Sequence, residues 1–126
     1  MNGITAYADD LKRLKAFAKA LRANRHPDRA AALESRILAL EAGLQPGARP
    51  PVARPGSLVS IRNLDTGDGY SYKLVYPAYA DGASGSISVL SPLGSALIGR
   101  KRGERFQYHS PGGLVRAELV ELDDEG

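Results

Sequence analysis

The sequence predicts an α+β protein: a short N-terminal antiparallel helical hairpin, then a five-strand, mainly antiparallel sheet with one short helix. Three observations predict it. Apolar residues recur every three or four positions through two stretches of the first 45 residues. The segment from Gly43 to Gly56 holds four of the eight prolines and breaks that periodicity. From Leu58 onward the period falls to two, with Gly-containing turns between the runs. The predicted division is a hairpin over 1–45, a Pro-rich linker over 46–56 and a sheet domain over 57–126.

The first helix is expected from Ala6 to Ala23, with Leu11, Leu14, Ala18 and Leu21 forming an apolar seam at spacings of three, four and three. Thr5 is the expected N-cap, with Asp9 and Asp10 near the positive helix end. Asn24-Arg25-His26-Pro27-Asp28 interrupts the pattern. Pro27 cannot continue the first helix but suits the first turn of the next, where Asp28 favours the helix start. Leu33, Ile37, Leu40 and Leu44 form the second seam, so the two helices should pair antiparallel. Helices of this length span roughly 20–27 Å at 1.5 Å per residue, a stub that needs a second surface to lean on.

After the linker, Leu58–Leu64 is the first strand and Asp65-Thr66-Gly67-Asp68-Gly69 a tight turn. Tyr70, Tyr72, Leu74 and Tyr76 alternate with Ser71, Lys73 and Val75 along a half-buried second strand that Pro77 ends. Asp81–Gly85 is a loop and Ser86–Leu90 a short strand. Ser91 caps a helical turn with Pro92 at its first position and Gly99 as terminator. Arg105–His109 and Leu114–Leu122 complete the sheet around Pro111-Gly112-Gly113, and Asp123–Gly126 is an expected frayed tail.

With 126 residues, 43% apolar and 25% charged, the chain can hold one modest core. No apolar run is long enough to cross a bilayer, and the N-terminus lacks the pattern of a secretory signal, so no membrane role is expected. The absence of Cys excludes disulfides and thiolate metal sites and fits a cytoplasmic location. Charge divides at the linker. Residues 1–54 carry ten Lys or Arg against five acids, whereas residues 55–126 carry seven against nine. The positive field belongs to the hairpin and suits either a solvated surface or a polyanionic partner such as RNA, DNA or an acidic protein face.

Catalytic constellations are hard to assemble. His26 and His109 each stand apart from any second imidazole or thiol, so a zinc site is not expected. No serine occupies a nucleophile elbow, and no Gly-rich loop ends in Gly-Lys-Ser/Thr. Asp65 and Asp68 share a Gly-containing turn, where Asp serves turn geometry more often than acid–base work. The tyrosines Tyr70, Tyr72, Tyr76 and Tyr79 could stack bases, but filling a half-buried strand is the commoner role. Arg100-Lys101-Arg102 follows a helix end, where cations are favoured. The expected protein is not an enzyme, uses no cofactor and has no small-molecule substrate.

Three stretches carry a family resemblance. Ile61-Arg62-Asn63-Leu64-Asp65-Thr66-Gly67 resembles the first hairpin of the C-terminal domain of the GreA/GreB-type transcript cleavage factors. Ile87 through Gly99 resembles that domain's strand-helix unit, and Pro111-Gly112-Gly113 its final turn. Leu74-Val75-Tyr76-Pro77-Ala78 is closer to the Rnk-like subgroup, which also has a short coiled coil. The resemblance covers roughly residues 56–122 and implies an FKBP-like shape. It implies no isomerase activity, since the chain lacks Trp and has only Phe17 and Phe106.

The resemblance also implies a partner, RNA polymerase, docked beside the secondary channel through the strand-helix junction. By position the docking residues are Ser91, Pro92 and Leu93, with Asp81 in the preceding loop. In cleavage factors two carboxylates at the coiled-coil tip help hold a catalytic Mg²⁺, a hard cation that needs oxygen ligands. Here the tip is Arg22, Arg25, His26, Asp28 and Arg29, with Glu34 nearly two turns away, and three guanidiniums oppose a divalent cation. The expectation is a polymerase-binding elongation regulator that does not stimulate cleavage and competes with factors that do. The alternative is a nucleic-acid binder acting through the basic hairpin.

Overall fold

The computed structural model describes residues 3–42, 52–81 and 84–124, so Leu44, residues 46–51 of the linker and the last two residues of the tail lie outside it. Two helices, α1 (Gly3–Ala23) and α2 (Pro27–Ala42), precede β1 (Ser57–Asn63), β2 (Gly69–Val75), β3 (Ser86–Ser88), α3 (Pro92–Leu97), β4 (Arg105–Ser110) and β5 (Gly113–Asp124). Helix α1 begins ahead of Thr5, which is therefore not its cap. Asp9 and Asp10 consequently lie beyond the first turn. The hairpin is antiparallel, with Lys15 paired to Glu41 at 3.0 Å and Arg22 to Glu34 at 2.6 Å across it. Both pairs are half-exposed, so they set register more than they stabilise.

The sheet runs β3-β2-β1-β5-β4. Three pairings are antiparallel, while β2 and β3 run parallel, joined through a 3-10 turn at Pro77–Tyr79. Strand β5 extends further than its sequence suggests. Asp123 and Asp124 pair with Leu58 and Ser57 rather than fraying, because β1 supplies ladder partners to its end.

Among the described residues one core joins the hairpin and the sheet. Leu14, Ala18, Leu33, Ile37 and Leu40 from the hairpin join Val59, Ile61, Leu74, Leu97, Phe106 and Leu119 in a single apolar cluster. Each buried Leu or Ile contributes about 1.5–3 kcal/mol of transfer free energy. Val52 and Ala53, within the Pro-rich stretch, are buried in the same cluster, and Ala53 exchanges backbone hydrogen bonds with Gly99 and Arg100. The hairpin leans on the sheet domain as its short seams require. Helix α2 lies so close to Gly99 that a Cβ there would sit 2.8 Å from the Arg36 carbonyl oxygen and 2.9 Å from the Leu40 nitrogen. Gly99 also holds a φ of 78°, a left-handed geometry that glycine adopts without a steric penalty.

A polar clamp seats the other helix. The Tyr76 hydroxyl donates to Asp10 of α1 in a short hydrogen bond, and the Arg54 guanidinium lies 3.6 Å from the second Asp10 oxygen. Arg13 stacks over the Tyr76 ring at 5.1 Å, and Phe17 packs against it at 6.1 Å. Burial pushes the Asp10 pKa up, outweighing the Tyr76 hydrogen bond and the Arg54 and Arg13 charges that pull it down. The Tyr76 pKa rises as well, through burial and its bond to Asp10.

A raised carboxyl pKa fixes the sign of a pH effect. The contribution of Asp10 to stability is fully present below its unfolded value near 3.8 and is lost as pH rises through the higher folded value. The stability difference between wild type and Asp10→Asn, from urea unfolding at a series of pH values, should therefore shift against wild type across that window and then level off. A difference independent of pH would contradict the dominance of burial over the clamp contacts at Asp10.

Candidate functional site

The strand-helix junction is built by short-range hydrogen bonding. Ser91 Oγ accepts from the Gly94 N–H at 3.0 Å and donates to the Ser88 carbonyl at 2.7 Å, so Ser91 is the N-cap of α3. Pro92 occupies the first helical position and is exposed. Leu93 turns inward with Leu97, four residues on, and is 9% exposed. Of the three junction residues, Pro92 alone is fully presented at the surface. Asp81 sits elsewhere, in an isolated bridge to Ser86 beside the β3 edge of the sheet.

The hairpin tip closes through a left-handed Arg25 at φ 68°, an uncommon conformation for a residue other than glycine. The His26 N–H donates to the Leu21 carbonyl, and the His26 carbonyl accepts from the Ala30 N–H, so the imidazole-bearing residue serves as a backbone hinge between helices. Arg22 is taken by Glu34. Arg29 reaches across to the sheet domain and donates to the Leu90 carbonyl at 2.7 Å, 61 residues away in sequence.

That contact encloses a groove of about 570 Å³ between α2 and the α3–β4 face. Asp28 and Arg29 from the tip and Pro92 from the junction line it together, whereas Arg22, Arg25, His26, Ser91, Leu93 and Asp81 do not. Arg36, Arg100, Tyr108 and His109 line it as well. Sequence reasoning assigned Arg36 no role, because an Arg beside an apolar seam looks like any solvated helix position. Arg36 donates from Nε to the Ile98 carbonyl at 2.8 Å. Its pKa is lowered by burial first and then by the Arg100 charge, with Glu104 partly offsetting. Arg100 donates to the Ala96 carbonyl, pairs with Glu104 at 3.3 Å and stacks over Phe106 at 5.4 Å.

The other nominated chemistry resolves structurally. Asn63 Oδ1 accepts from the Asp65 and Thr66 N–H groups, a side-chain-closed turn, while Asp65 pairs with Arg116 at 2.5 Å. Asp65 and Asp68 are not a working carboxylate pair. The tyrosines divide: Tyr76 is taken by the clamp, whereas Tyr70 is 46% and Tyr79 71% exposed. Among the described residues no group of three or more His, Asp or Glu converges as a metal site.

A family model described as the C-terminal domain of the transcription elongation factors GreA/GreB matches residues 48–124. The chain is 46% identical over 67 residues to transcription elongation factor GreA of Syntrophobacter fumaroxidans, covering 53% of this chain and 43% of the relative. Identity to GreA of Thermotoga neapolitana is 43% over 67 residues, with the same shares. The match thus spans less than half the length of these curated relatives. Among solved structures, a prokaryotic transcription elongation factor GreA/GreB from Nitrosomonas europaea superposes with a TM-score of 0.66 at 31% identity, covering 90% of this chain and 93% of that one. That coverage takes in the hairpin as well as the sheet. Gfh1 of Thermus thermophilus shares the fold at 21% identity and a TM-score of 0.52, covering 98% and 91%.

The junction's geometry has a measurable consequence. A Cβ on Gly94 would lie 2.0 Å from the Ser88 carbonyl oxygen, whereas Gly67 has open space around it. Gly94→Ala should lower stability by about 2 kcal/mol or more through overpacking, and Gly67→Ala by only about 1–2 kcal/mol through its left-handed backbone. Thermal unfolding of the two variants orders them, and equal losses would contradict the close approach.

Proposed function

This chain belongs to the GreA/GreB transcription elongation factor family, and from that premise we propose that it binds RNA polymerase at the secondary-channel rim and regulates elongation without stimulating transcript cleavage. In this family cleavage is carried out by the polymerase, so the chain is not itself an enzyme. The surface around Pro92 is the docking face. Ser91 holds α3 in place and Leu93 fills the core beneath it, so both act by shaping that face. Asp81 is a secondary contact on the neighbouring loop.

One observation carries the non-cleaving part of the proposal. The hairpin lies along the sheet domain, touching it at Arg29, Arg36 and Leu40, so its tip does not project as a probe. The tip residues also do not fit a divalent cation. Asp28 is its only carboxylate, and Glu34 is held by Arg22. The short hairpin and the Leu74–Ala78 stretch favour the Rnk-like subgroup. On this reading 1–45 is the hairpin, 46–56 the connection and 57–126 the docking domain, with its helix-backed sheet taking the FKBP-like shape. A polymerase partner implies a cytoplasmic site of action. No helix among the described residues is long and apolar enough to cross a membrane.

The test is transcript cleavage by a backtracked polymerase complex with a cleavage factor present, titrated with this protein. The expected result is suppression that excess factor relieves and that Pro92→Asp weakens about tenfold, a loss of 1.4 kcal/mol. Stimulated cleavage would contradict the proposal. So would no effect at saturation, which would favour a nucleic-acid binder acting through Lys12, Lys19 and Arg25, all exposed on the hairpin.

A further inference from the structure

The sheet has two edges, and they are finished differently. Strand β3 is three residues long, and Asp81 bridges to it at Ser86. Strand β4 runs for six residues, with β5 on one side and no strand on the other. Its pairing fixes which backbone groups face outward. A two-residue turn joins Ser110 to its partner Gly113, so these two exchange ladder hydrogen bonds. The alternate pairs Tyr108–Val115 and Phe106–Ala117 then do so as well, and the Leu119 N–H, donating to the Glu104 carbonyl, continues the series. The N–H and C=O groups of Arg105, Gln107 and His109 therefore point away from β5. Among the described residues none of them meets a backbone partner there.

This open edge borders the groove described above. Gln107, Tyr108 and His109 all line it. Successive strand residues point to opposite faces, so three in a row border one groove where it meets the strand edge-on. Other walls of the groove are apolar, with Leu21, Leu33, Leu90 and Ala96. Charge around β4 is uneven. On the exposed face Arg62 and Arg105 share the carboxylate of Glu118, at 3.8 and 3.3 Å. On the groove side Glu104 pairs with Arg100 and also acts on Arg36, while Asp28 and Arg29 line the groove together. Arg29, Arg36, Arg62, Arg100 and Arg105 thus outnumber Asp28, Glu104 and Glu118 five to three.

We propose that β4 takes up an extended acidic peptide of a partner protein as a sixth strand, with apolar side chains entering the groove beside Phe106 and Tyr108 and carboxylates alternating with them beside Arg105 and His109. Main-chain pairing gives such a strand its affinity, and pockets for alternate side chains give its specificity. Outward groups that recur at every second residue, about 6.8 Å apart, match a peptide main chain. A nucleic acid would answer the arginines but carries no such run of N–H and C=O groups. Strand β4 itself holds no acid, so two copies of this chain joined edge to edge would add cations only. The proposal does not rest on polymerase docking: Pro92 borders the groove but makes none of these contacts.

Hydrogen exchange of the full chain, read amide by amide by NMR, tests it. The probe is a peptide of about seven residues in which glutamate and valine alternate. The Arg105, Gln107 and His109 amides should exchange at least about tenfold more slowly at saturating peptide, while Phe106 and Tyr108, already in the ladder, change less than about twofold. Gln107→Pro deletes one outward N–H and no ladder bond, a change that edge strands tolerate, and should weaken peptide binding about tenfold. Its unfolding midpoint is checked alongside. Methylating the peptide nitrogens that face β4 should weaken binding to the same degree, and this tests the pairing on the unaltered chain. A lysine–valine peptide should bind about tenfold less tightly than the glutamate one. Absence of binding, or affinity indifferent to both Gln107→Pro and peptide methylation, would overturn the proposal. Slowed exchange at the three amides in the free chain that grows with protein concentration would replace it with self-pairing. Slowing by an unstructured oligoribonucleotide but not by the peptide would replace it with a nucleic-acid site.

Discussion

The backbone of α2 lies against Gly99 with no room for a side chain between them, and the positions of the hairpin, groove and tip follow from that seat. Two short helices cannot stabilise themselves on their own seams. Here Leu33, Ile37 and Leu40 bury into the same cluster as Leu97, Ile98 and Leu119. At the far side, Asp10 accepts from Tyr76 and lies beside Arg54, an arrangement that costs desolvation but fixes where α1 sits. Packing supplies the affinity of hairpin for sheet, and the polar clamp supplies its register.

This seat determines what the tip can do. A coiled coil that projects can carry a pair of carboxylates into a distant site. A hairpin pinned along a sheet domain carries its tip only to the edge of that domain. The tip of this chain is spent locally: Arg22 on Glu34, Arg29 on the Leu90 carbonyl and His26 on the turn backbone. Pro92, Asp28 and Arg29 consequently share one groove instead of forming two separate working surfaces.

Much of the fold was legible because its determinants are local. The i, i+3, i+4 seams, Pro27 opening α2, Ser91 capping α3 and Gly99 ending it depend on residues within a few positions of one another. Pairing direction was less accessible. The parallel run of β3 beside β2 depends on how the chain returns after Pro77, and no alternation pattern records that. Leu93 stands at the junction that the resemblance nominated for docking, and its helical spacing to Leu97 turns its side chain inward beneath Pro92, an orientation that the motif alone does not record. The clamp joins residues 66 positions apart, and the convergence of Arg36 and Arg100 on one groove is likewise tertiary, so neither leaves a local signal. Val52 and Ala53 fall within the predicted Pro-rich linker, and their burial in the shared core depends on tertiary contacts that its composition does not record.

The central claim is that the tip stays beside the α3–β4 face, and the absence of native Cys permits a direct test. Spin labels at Arg25→Cys and His109→Cys, both exposed positions, report the tip-to-domain distance by double electron–electron resonance. The account predicts a single narrow distribution within about 24 Å, the length of the 16-residue α2. A broad distribution extending well beyond that length would contradict it, since the hairpin would then swing free as a probe.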